Sequence, residues 1–387
     1  MSANPLRYVG LTGKRAGHKT SADQSHFPCD QCGAVLRYDI GTTELACEYC
    51  GFANAIVEDT SPIREHSLEE ALRALDDPGA TTAQRAEEVQ CNSCGARFSL
   101  DADSHAGECV FCSEPVVLDT TGSRAFQPES LLPLAIEESQ AREACNRWLA
   151  GLWFAPSRLR QHAQTDQQFS AVFLPHWTYD SDTLSRYRGE RGDAYVEHRT
   201  VWVRQNGRRV RQVQRVTKVR WRPAGGQTQR HFDDVLIGAS QTLPRQITDR
   251  LAPWDLDQLV PYQPQWLSGS RSEIYQVTLD EGFNRARKVM EGVIRSDVKR
   301  DIGGDFQRVH ALQTRHSNTT FKHILLPVWM ASFRFGGKRF RFLVNARTGK
   351  TVGERPWSVV KIVAAVVGAV VVGAGMIWWL NRTGYLT

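Results

Sequence analysis

The sequence lacks the short motifs that mark the common enzyme classes. It contains no HExxH, no GxSxG and no GxGxxG opening a helix, the usual signatures of zinc peptidases, α/β-hydrolases and dinucleotide-binding enzymes. The GKT tripeptide at 349–351 follows Val344, which stands where a phosphate-binding loop requires its first glycine. We therefore interpret this segment as a turn between strands. We expect a non-enzymatic protein, with an unrecognised enzyme as an alternative.

The N-terminus lacks the apolar core of a secretory signal peptide, because residues 1–25 are mostly polar. We expect this segment to be flexible. The composition is otherwise that of an ordinary globular protein, with 23% charged and 41% hydrophobic residues and a formal net charge of +6. This mild basic excess does not by itself indicate a nucleic-acid partner.

Eight of the nine cysteines form two copies of one pattern, in which C-x2-C, fourteen residues and C-x2-C follow each other. Two residues between cysteines let one tight turn direct both sulfurs at one ion. Two such turns supply a tetrahedral set of four thiolates, which suits zinc. The predicted ligands are Cys29, Cys32, Cys47 and Cys50 in the first copy and Cys91, Cys94, Cys109 and Cys112 in the second.

Both predicted sites are interpreted as structural, because four thiolates fill the coordination sphere and leave no open position. We predict two zinc ions. Disulfides, an iron–sulfur cluster and ligation interleaved between the two quartets are the alternatives. Glycine follows three of the four cysteine pairs, at Gly33, Gly51 and Gly95, where a positive backbone φ is often needed. The ninth cysteine, Cys145, is interpreted as a small buried side chain on a helix.

The longest uncharged run lies near the C-terminus. Residues 362–380 carry no charge, and as a helix they would extend roughly 28 Å, close to the thickness of a bilayer core. Trp357 precedes the run, and Trp378 and Trp379 close it, as in an interfacial aromatic belt. We predict a transmembrane helix over 358–380, with a buried core helix or an aggregation-prone strand as alternatives.

Acidic residues are scarce on the N-terminal side of this run. Between Arg334 and Lys361 the basic residues face a single acid, Glu354, whereas the tail beyond the run carries only Arg382. The positive-inside rule therefore places the large N-terminal body in the cytoplasm and the C-terminus outside. Reduced cysteine pairs also require a reducing compartment. We expect a single-pass protein of the cytoplasmic (inner) membrane.

A weak internal repeat runs through residues 126–355. A helix near 137–152 precedes the strand AVFLPHWTYD, and a helix near 281–299 precedes the strand HILLPVWMASF. A basic, glycine-containing hairpin is predicted to follow each strand, at SRYRGERG in the first half and at FRFGGKRFRF in the second. We therefore predict a duplicated helix-plus-β-hairpin body.

The predicted fold class is α+β, with two small β zinc ribbons, the duplicated body and one C-terminal transmembrane helix. The predicted segments are a flexible N-terminus (1–25), zinc ribbon 1 (26–58), a helical connector (59–87), zinc ribbon 2 (88–119), the α+β body (126–355), the transmembrane helix (358–380) and a short tail (381–387).

Acidic residues are also absent from the stretch 201–222, in which Asn206-Gly207 is predicted to form a turn between two basic strands. One interpretation is a β-ribbon that binds a polyanion, either anionic lipid near the anchor or nucleic acid. The other is a solvated face paired with acids elsewhere. Because the chain is tethered to a membrane, we favour lipid or protein over nucleic acid. The candidate residues are Arg204, Arg208, Arg209, Arg211, Arg215, Lys218, Arg220 and Arg222.

Segments spread over nearly the whole chain resemble one bacterial protein family. They are, in order, LPHWTYD, RYRGERGDAYV, HFDDVLIGAS, PWDLDQLVPYQP, RDIGGDFQRV, TFKHILLPVWM and VNARTGKTVGERP. With the ribbons before them and the anchor after them, they resemble bacterial zinc-ribbon, single-pass membrane proteins. Members are commonly labelled TFIIB-type zinc ribbon proteins or primosomal protein N′ (PriA-like helicase). The chain departs from the helicase label, because it has no Walker A loop and no DExH-type box.

The resemblance implies an adaptor at a membrane. Some relatives are associated with membrane-stress systems that contain PspA-like and SPFH-type proteins, so such proteins are the implied partners. We therefore expect a membrane-anchored zinc-ribbon adaptor or scaffold on the cytoplasmic face, in contact with the bilayer and with protein partners. The alternative is a membrane-tethered nucleic-acid-binding protein associated with replication.

Overall fold

A computed structural model gives the fold of most of the chain between Phe27 and Arg382. The residues that it describes are 27, 29–34, 36–57, 59–76, 85–86, 89–90, 95–98, 106–108, 111, 115–117, 123–124, 126–156, 169–205, 208–335, 338–354 and 358–382.

Short strands precede the body. Three of them, Arg37–Tyr38, Glu44–Ala46 and Ala53–Ala55, form an antiparallel sheet around the first cysteine quartet, with Glu44–Ala46 in the middle. Six others form two-stranded ladders, in which Arg85–Ala86 pairs with Ser123–Arg124, Val89–Gln90 with Arg97–Phe98, and Ala106–Glu108 with Pro115–Val117. These strands are β1 (Arg37–Tyr38), β2 (Glu44–Ala46), β3 (Ala53–Ala55), β5 (Arg85–Ala86), β6 (Val89–Gln90), β7 (Arg97–Phe98), β8 (Ala106–Glu108), β9 (Pro115–Val117) and β10 (Ser123–Arg124).

One nine-stranded sheet forms the body. Its members are β4 (His66–Ser67), β11 (Ser130–Leu131), β12 (Phe169–Gln205), β13 (Arg208–Gly238), β14 (Val260–Pro261), β15 (Arg271–Ser272), β16 (Phe306–Phe335), β17 (Lys338–Asn345) and β18 (Thr351–Gly353). The central order is β13-β12-β16-β11-β14, with β15 beside β12, β4 and β17 beside β16, and β18 beside β17. Only β11 with β16 and β12 with β15 pair in parallel among the described strands of this sheet.

Five α-helices accompany the sheets in the described residues. They are α1 (Leu68–Asp76), α2 (Glu138–Ala150), α3 (Arg245–Thr248), α4 (Leu279–Ile302) and α5 (Val359–Arg382). Short 3-10 turns lie at Asp249–Leu251, Leu256–Gln258 and Pro264–Leu267. The mixed α+β class is confirmed, with mainly antiparallel sheets.

Helix α4 forms the main cover of the sheet. Its first turn is capped by the Thr278 side chain, which accepts a hydrogen bond from the Glu281 N–H, and Gly303 ends the helix with φ 66°. Residues three or four apart form one buried stripe that packs against the aromatic side chains of β12 and β16. The stripe consists of Leu279, Gly282, Ala286, Met290, Ile294, Val298 and Ile302.

Gly282 lets α4 approach the sheet closely. A Cβ added there would lie 2.3 Å from the Tyr179 hydroxyl and 3.0 Å from Trp177 Cδ1. We expect Gly282→Ala to lower the free energy of unfolding by about 1–3 kcal/mol through overpacking. Gly292→Ala is the matched control on the same helix, because a Cβ there would meet nothing within 4 Å. Because alanine favours the helix more than glycine does, Gly292→Ala should leave the free energy of unfolding unchanged or raise it by up to about 1 kcal/mol. Chemical denaturation measures both, and equal effects would contradict the close packing.

Strands β12 and β13 form a very long hairpin. Gln205 pairs with Arg208, which leaves two residues, the predicted Asn206-Gly207 turn, outside the described part of the chain. Strand β16 accompanies β12 only as far as Gly192. Beyond this point β12 and β13 pair with each other alone among the described strands. We call residues 193–205 and 208–220 the arm; at about 3.3 Å per residue it is roughly 43 Å long.

The predicted hairpin at SRYRGERG is wrong. Residues 185–192 continue along β12, with a register shift against β16 between Arg188 and Gly189, and the chain reverses only after Gln205. The glycines that signal a turn in the sequence serve close packing instead. A Cβ at Gly189 would lie 2.1 Å from the Arg308 carbonyl oxygen, and one at Gly192 would lie 2.9 Å from the Trp221 ring.

Helix α5 is the one apolar helix in the described chain that could cross a membrane. It has 24 residues with a mean hydropathy of 2.4 in its most apolar window, and none of that window is buried against the protein. The protein contacts the start of the helix. The Ser358 N–H donates to the Phe154 carbonyl over 2.8 Å, and Lys361 Nζ donates to the Ala155 carbonyl over 2.7 Å.

Candidate metal centre and basic arm

The first cysteine quartet converges on one point. Its four Sγ atoms all lie within 4.8 Å of one another. Cys29 and Cys50 are 3.6 Å apart, and Cys32 and Cys47 are 3.5 Å apart, measured between their Sγ atoms. A disulfide would place the sulfurs about 2.05 Å apart, whereas a tetrahedral ion with bonds of about 2.3 Å would place them roughly 3.8 Å apart. The donor set therefore fits a metal ion of the zinc type.

Two matching turns hold the quartet. In the first, the Gly33 N–H donates to the Cys29 carbonyl over 2.8 Å, and in the second the Gly51 N–H donates to the Cys47 carbonyl over 2.9 Å. Both glycines have φ 74°, which a residue with a side chain rarely adopts. The backbone N–H of Cys50 is the main reason why the pKa of the Cys47 thiol is lowered, to about 7. Thiolate, the form that binds metal, is thus available at Cys47 near neutral pH, whereas burial and the neighbouring sulfurs raise the pKa of Cys32 and raise that of Cys50 to about 12.

The ribbon around this quartet, residues 27–57, is joined to the body. Tyr38 lies edge-on to Trp266 with ring centroids 5.2 Å apart, and burial raises the pKa of the Tyr38 phenol to about 12. The Tyr38 N–H donates to the Ser268 carbonyl, and the Ser268 hydroxyl donates to the Leu36 carbonyl over 2.6 Å. The ribbon is therefore packed against the body and joined to it by hydrogen bonds.

The second quartet, Cys91, Cys94, Cys109 and Cys112, lies outside the described residues. Its described neighbours carry part of the same pattern. Gly95 has φ 73°, like the glycines after the first two pairs, and Ala96 and Phe111 are fully buried against the body. The second zinc site stays a prediction.

The eight basic residues of the predicted stripe do not share one face. Cross-strand partners lie on the same side of a two-stranded ribbon, so the register assigns each arm residue to a face. Arg204, Arg209, Arg211 and Arg215 lie on one face, which we call the arginine face. Arg208, Lys218 and Arg220 lie on the opposite face, and Arg222 lies just below the arm, opposite Arg191.

The two faces differ in their acids. The opposite face contains Asp193 and Glu197, and Glu197 forms an ion pair with Lys218. The register places no carboxylate on the arginine face in the described arm. Trp202 lies on the arginine face and is 65% exposed. The centroid of its ring is 5.8 Å from the guanidinium carbon of Arg211. The alternative of pairing with acids thus applies to the opposite face alone.

Three acidic residues outside the arm, Asp255, Asp301 and Asp305, have structural partners. Arg347 forms a two-pronged ion pair with Asp255, and Tyr187 donates to Asp301. Asp305 accepts the Ala194 N–H over 2.7 Å at the base of the arm.

The turn at 348–350 connects β17 to β18, with Gly349 at φ 73°, as the sequence predicts.

A group of three aspartates has oxygens within 4.8 Å of one another, the second such cluster among the described residues. They are Asp180, Asp233 and Asp234. Burial raises the pKa of Asp180 to about 6. Lys322 already neutralises part of the cluster, because its Nζ lies 2.8 Å from an Asp234 oxygen and 3.1 Å from Glu65.

Two histidines in the core were not singled out from the sequence. His176 and His323 are 6% and 4% exposed, and burial lowers the pKa of each to about 4. The Nδ1 atom of His176 lies 3.0 Å from the Leu174 carbonyl oxygen, and that of His323 lies 3.0 Å from the Phe126 carbonyl oxygen. The signal available in the sequence was a histidine inside an apolar strand, in LPHW and FKHILL.

Comparison with known proteins gives one informative similarity. The chain is 26% identical over 345 residues to a Bacillus subtilis (strain 168) protein described as uncharacterized protein YdjG. The match covers 87% of this chain and 92% of that protein. No family model matches the chain, and no solved structure matches it.

Proposed function

We propose that this chain is a non-enzymatic, membrane-anchored adaptor in which a zinc-bound ribbon offers a surface to a protein partner. The proposal rests on one observation: four cysteine sulfurs lie close together, and exposed aromatic side chains lie beside them in the chain. Cys29 and Cys47 face the protein interior, while Tyr49, between Cys47 and Cys50, is 85% exposed and Phe52 is 40% exposed. Four sulfurs suit a structural ion, and exposed aromatic side chains are typical anchors at protein interfaces.

The proposed anchor is α5, with residues 151–156 at the membrane surface beside it. Trp153 is 79% exposed and Phe154 is 36% exposed, and both lie in the segment that hydrogen-bonds the start of α5. Tryptophan favours the boundary between water and lipid. The excess of basic residues before α5 favours a cytoplasmic body in the inner membrane, with the C-terminus outside.

We also propose that the body arose by duplication. Two hydrogen bonds of the same kind support this. Trp177 Nε1 donates to the Val277 carbonyl just before α4, and Trp329 Nε1 donates to the Ile136 carbonyl just before α2, each over 2.9 Å. Each half thus uses its LPxW tryptophan to hold the helix of the other half. The resemblance to zinc-ribbon membrane proteins adds PspA-like or SPFH-type proteins as proposed partners.

The test uses full-length protein purified from detergent-solubilised membranes after in-cell crosslinking. We expect Tyr49→Ala to retain its zinc and its place in the membrane, but to recover at least about tenfold less of the crosslinked partner, because an exposed aromatic anchor contributes about 2 kcal/mol or more. Tyr195→Ala, an exposed aromatic position on the arm, is the matched control and should recover the partner in full. Full recovery with Tyr49→Ala would contradict the proposed surface.

A further inference from the structure

The arm presents a charged surface that the adaptor proposal does not use. Four arginines and Trp202 occupy one side of a ribbon about 43 Å long, and the register places no acid beside them in the described arm. The opposite face carries Arg199, Arg208, Lys218 and Arg220 with Asp193 and Glu197. Each face of the arm thus carries four cationic side chains, but only the opposite face also carries two carboxylates. The arginine face therefore has the larger net positive charge.

The base of the arm is fixed against the body. The Arg308 guanidinium carbon lies 3.8 Å from the centroid of the Trp221 ring. Asp305 accepts the Ala194 N–H, and its own N–H donates to the Gly192 carbonyl over 2.9 Å. These contacts hold the ribbon where it leaves the sheet, so the arginine face keeps a defined direction.

The arm lies at the opposite end of β12 from the residues that connect this strand to the start of α5. Phe154, which accepts the Ser358 N–H, follows α2, and Arg142 of α2 covers the Phe169 ring at the start of β12. Arg204 stands at the other end of β12, on the order of 115 Å of strand away. Contact of the arm with the bilayer around α5 therefore depends on how the sheet is oriented at the membrane. A linear polyanion in solution can contact the arm whatever the orientation of the sheet at the membrane.

We propose that the arginine face binds the phosphodiester backbone of nucleic acid. Arg209 and Arg211 are two residues apart, about 6.7 Å along the strand, and Arg215 continues their row. The guanidinium group matches phosphate oxygens with two hydrogen bonds at once. A two-stranded ribbon has a width that the major groove of B-DNA admits, and Trp202 offers a ring on which an unpaired base stacks.

The test compares two variants that each lose four positive charges. The first replaces Arg204, Arg209, Arg211 and Arg215 with glutamine, and the matched control replaces Arg199, Arg208, Lys218 and Arg220 with glutamine. Full-length protein in nanodiscs of phosphatidylcholine is titrated into labelled duplex DNA, single-stranded DNA and RNA of equal length. Salt is varied between about 50 and 200 mM. Circular dichroism verifies that both variants remain folded.

We expect the wild type to bind at low salt and to weaken steeply as salt rises. Loss of the arginine face should make the slope of log affinity against log salt shallower by about 2.8–3.6, since each of four phosphate contacts contributes about 0.7–0.9. The control should keep most of the slope. Equal losses in the two variants would overturn the assignment to one face, and no binding by the wild type would overturn the proposal.

Lipid is the competing outcome. The same proteins are mixed with vesicles of phosphatidylcholine alone or with phosphatidylserine, and bound protein is recovered by flotation. Binding to the anionic vesicles that depends on the arginine face, without binding to any of the three nucleic acids, would replace the proposal with a lipid contact. Co-purification of the adaptor's partner does not depend on this result, because Tyr49 and the arm are tested separately.

Discussion

Replacing Cys47 with serine is expected to release the metal ion of the first quartet and to disorganise the ribbon over residues 27–57. Structural zinc contributes on the order of 10 kcal/mol to the folding of small isolated ribbons, which exceeds what three strands of two or three residues can supply. Since Leu36, Tyr38 and Leu45 share a buried cluster with Trp266 and Leu134 of the body, the loss should also lower the stability of the body. Metal analysis and thermal unfolding of the purified protein measure the two effects.

Cys145→Ser is the matched control for this prediction. Cys145 is fully buried on α2 and lies outside both predicted quartets. Its substitution changes a thiol to a hydroxyl in the buried cluster that the ribbon shares with the body, but it leaves the four sulfurs of the quartet in place, so the zinc content should stay at the wild-type value. Retention of all the zinc by Cys47→Ser would contradict the four-sulfur site.

Acidification is expected to lower the free energy of unfolding of the protein, and this is the second large effect. Burial lowers the pKa values of His176 and His323 to about 4, whereas histidine in an unfolded chain titrates near 6.5. Between these values the unfolded chain binds protons that the folded chain does not. With respect to these two histidines, the free energy of unfolding is at its full value above pH 6.5 and falls as the pH is lowered towards 4, by on the order of 3 kcal/mol for each histidine.

Urea unfolding at a series of pH values measures this dependence. The double variant His176→Asn/His323→Asn keeps an amide donor near each Nδ1 position and removes the titrating group. Its stability should fall less steeply between pH 6.5 and 4. Acid also protonates the thiolates of a zinc site, so the series is repeated in the Cys47→Ser background, where the contribution of the histidines should persist. An unchanged slope in the double variant would show that other groups cause the acid sensitivity.

The parts of the fold that were predictable depend on local geometry. The C-x2-C spacing predicts a tight turn that brings two sulfurs together, and the first quartet is confirmed as four sulfurs close to one another. Helix α4 has a capping threonine and an apolar stripe within its own sequence, so its position near 281–299 was predicted to within a few residues. A run of apolar residues likewise predicted α5.

The parts that were not predictable depend on residues far apart in the chain. Gly189 and Gly192 have the sequence of a turn, but they lie in a strand because Arg308 and Trp221 approach them from other strands. The division of the stripe into two faces follows from the register that pairs Gln205 with Arg208, and a slip of one residue would exchange the faces. The contact of Tyr38 with Trp266, which joins the ribbon to the body, has no local signal at either residue.

The most direct test of the account measures zinc in the full-length chain isolated from washed membranes. We predict that the protein stays with the membrane after alkaline carbonate extraction, that it carries two zinc ions per chain, and that Cys47→Ser lowers this number to one. A chain that fractionates with soluble protein although its C-terminal helix is intact, or that contains no bound metal when purified without chelator, would contradict it.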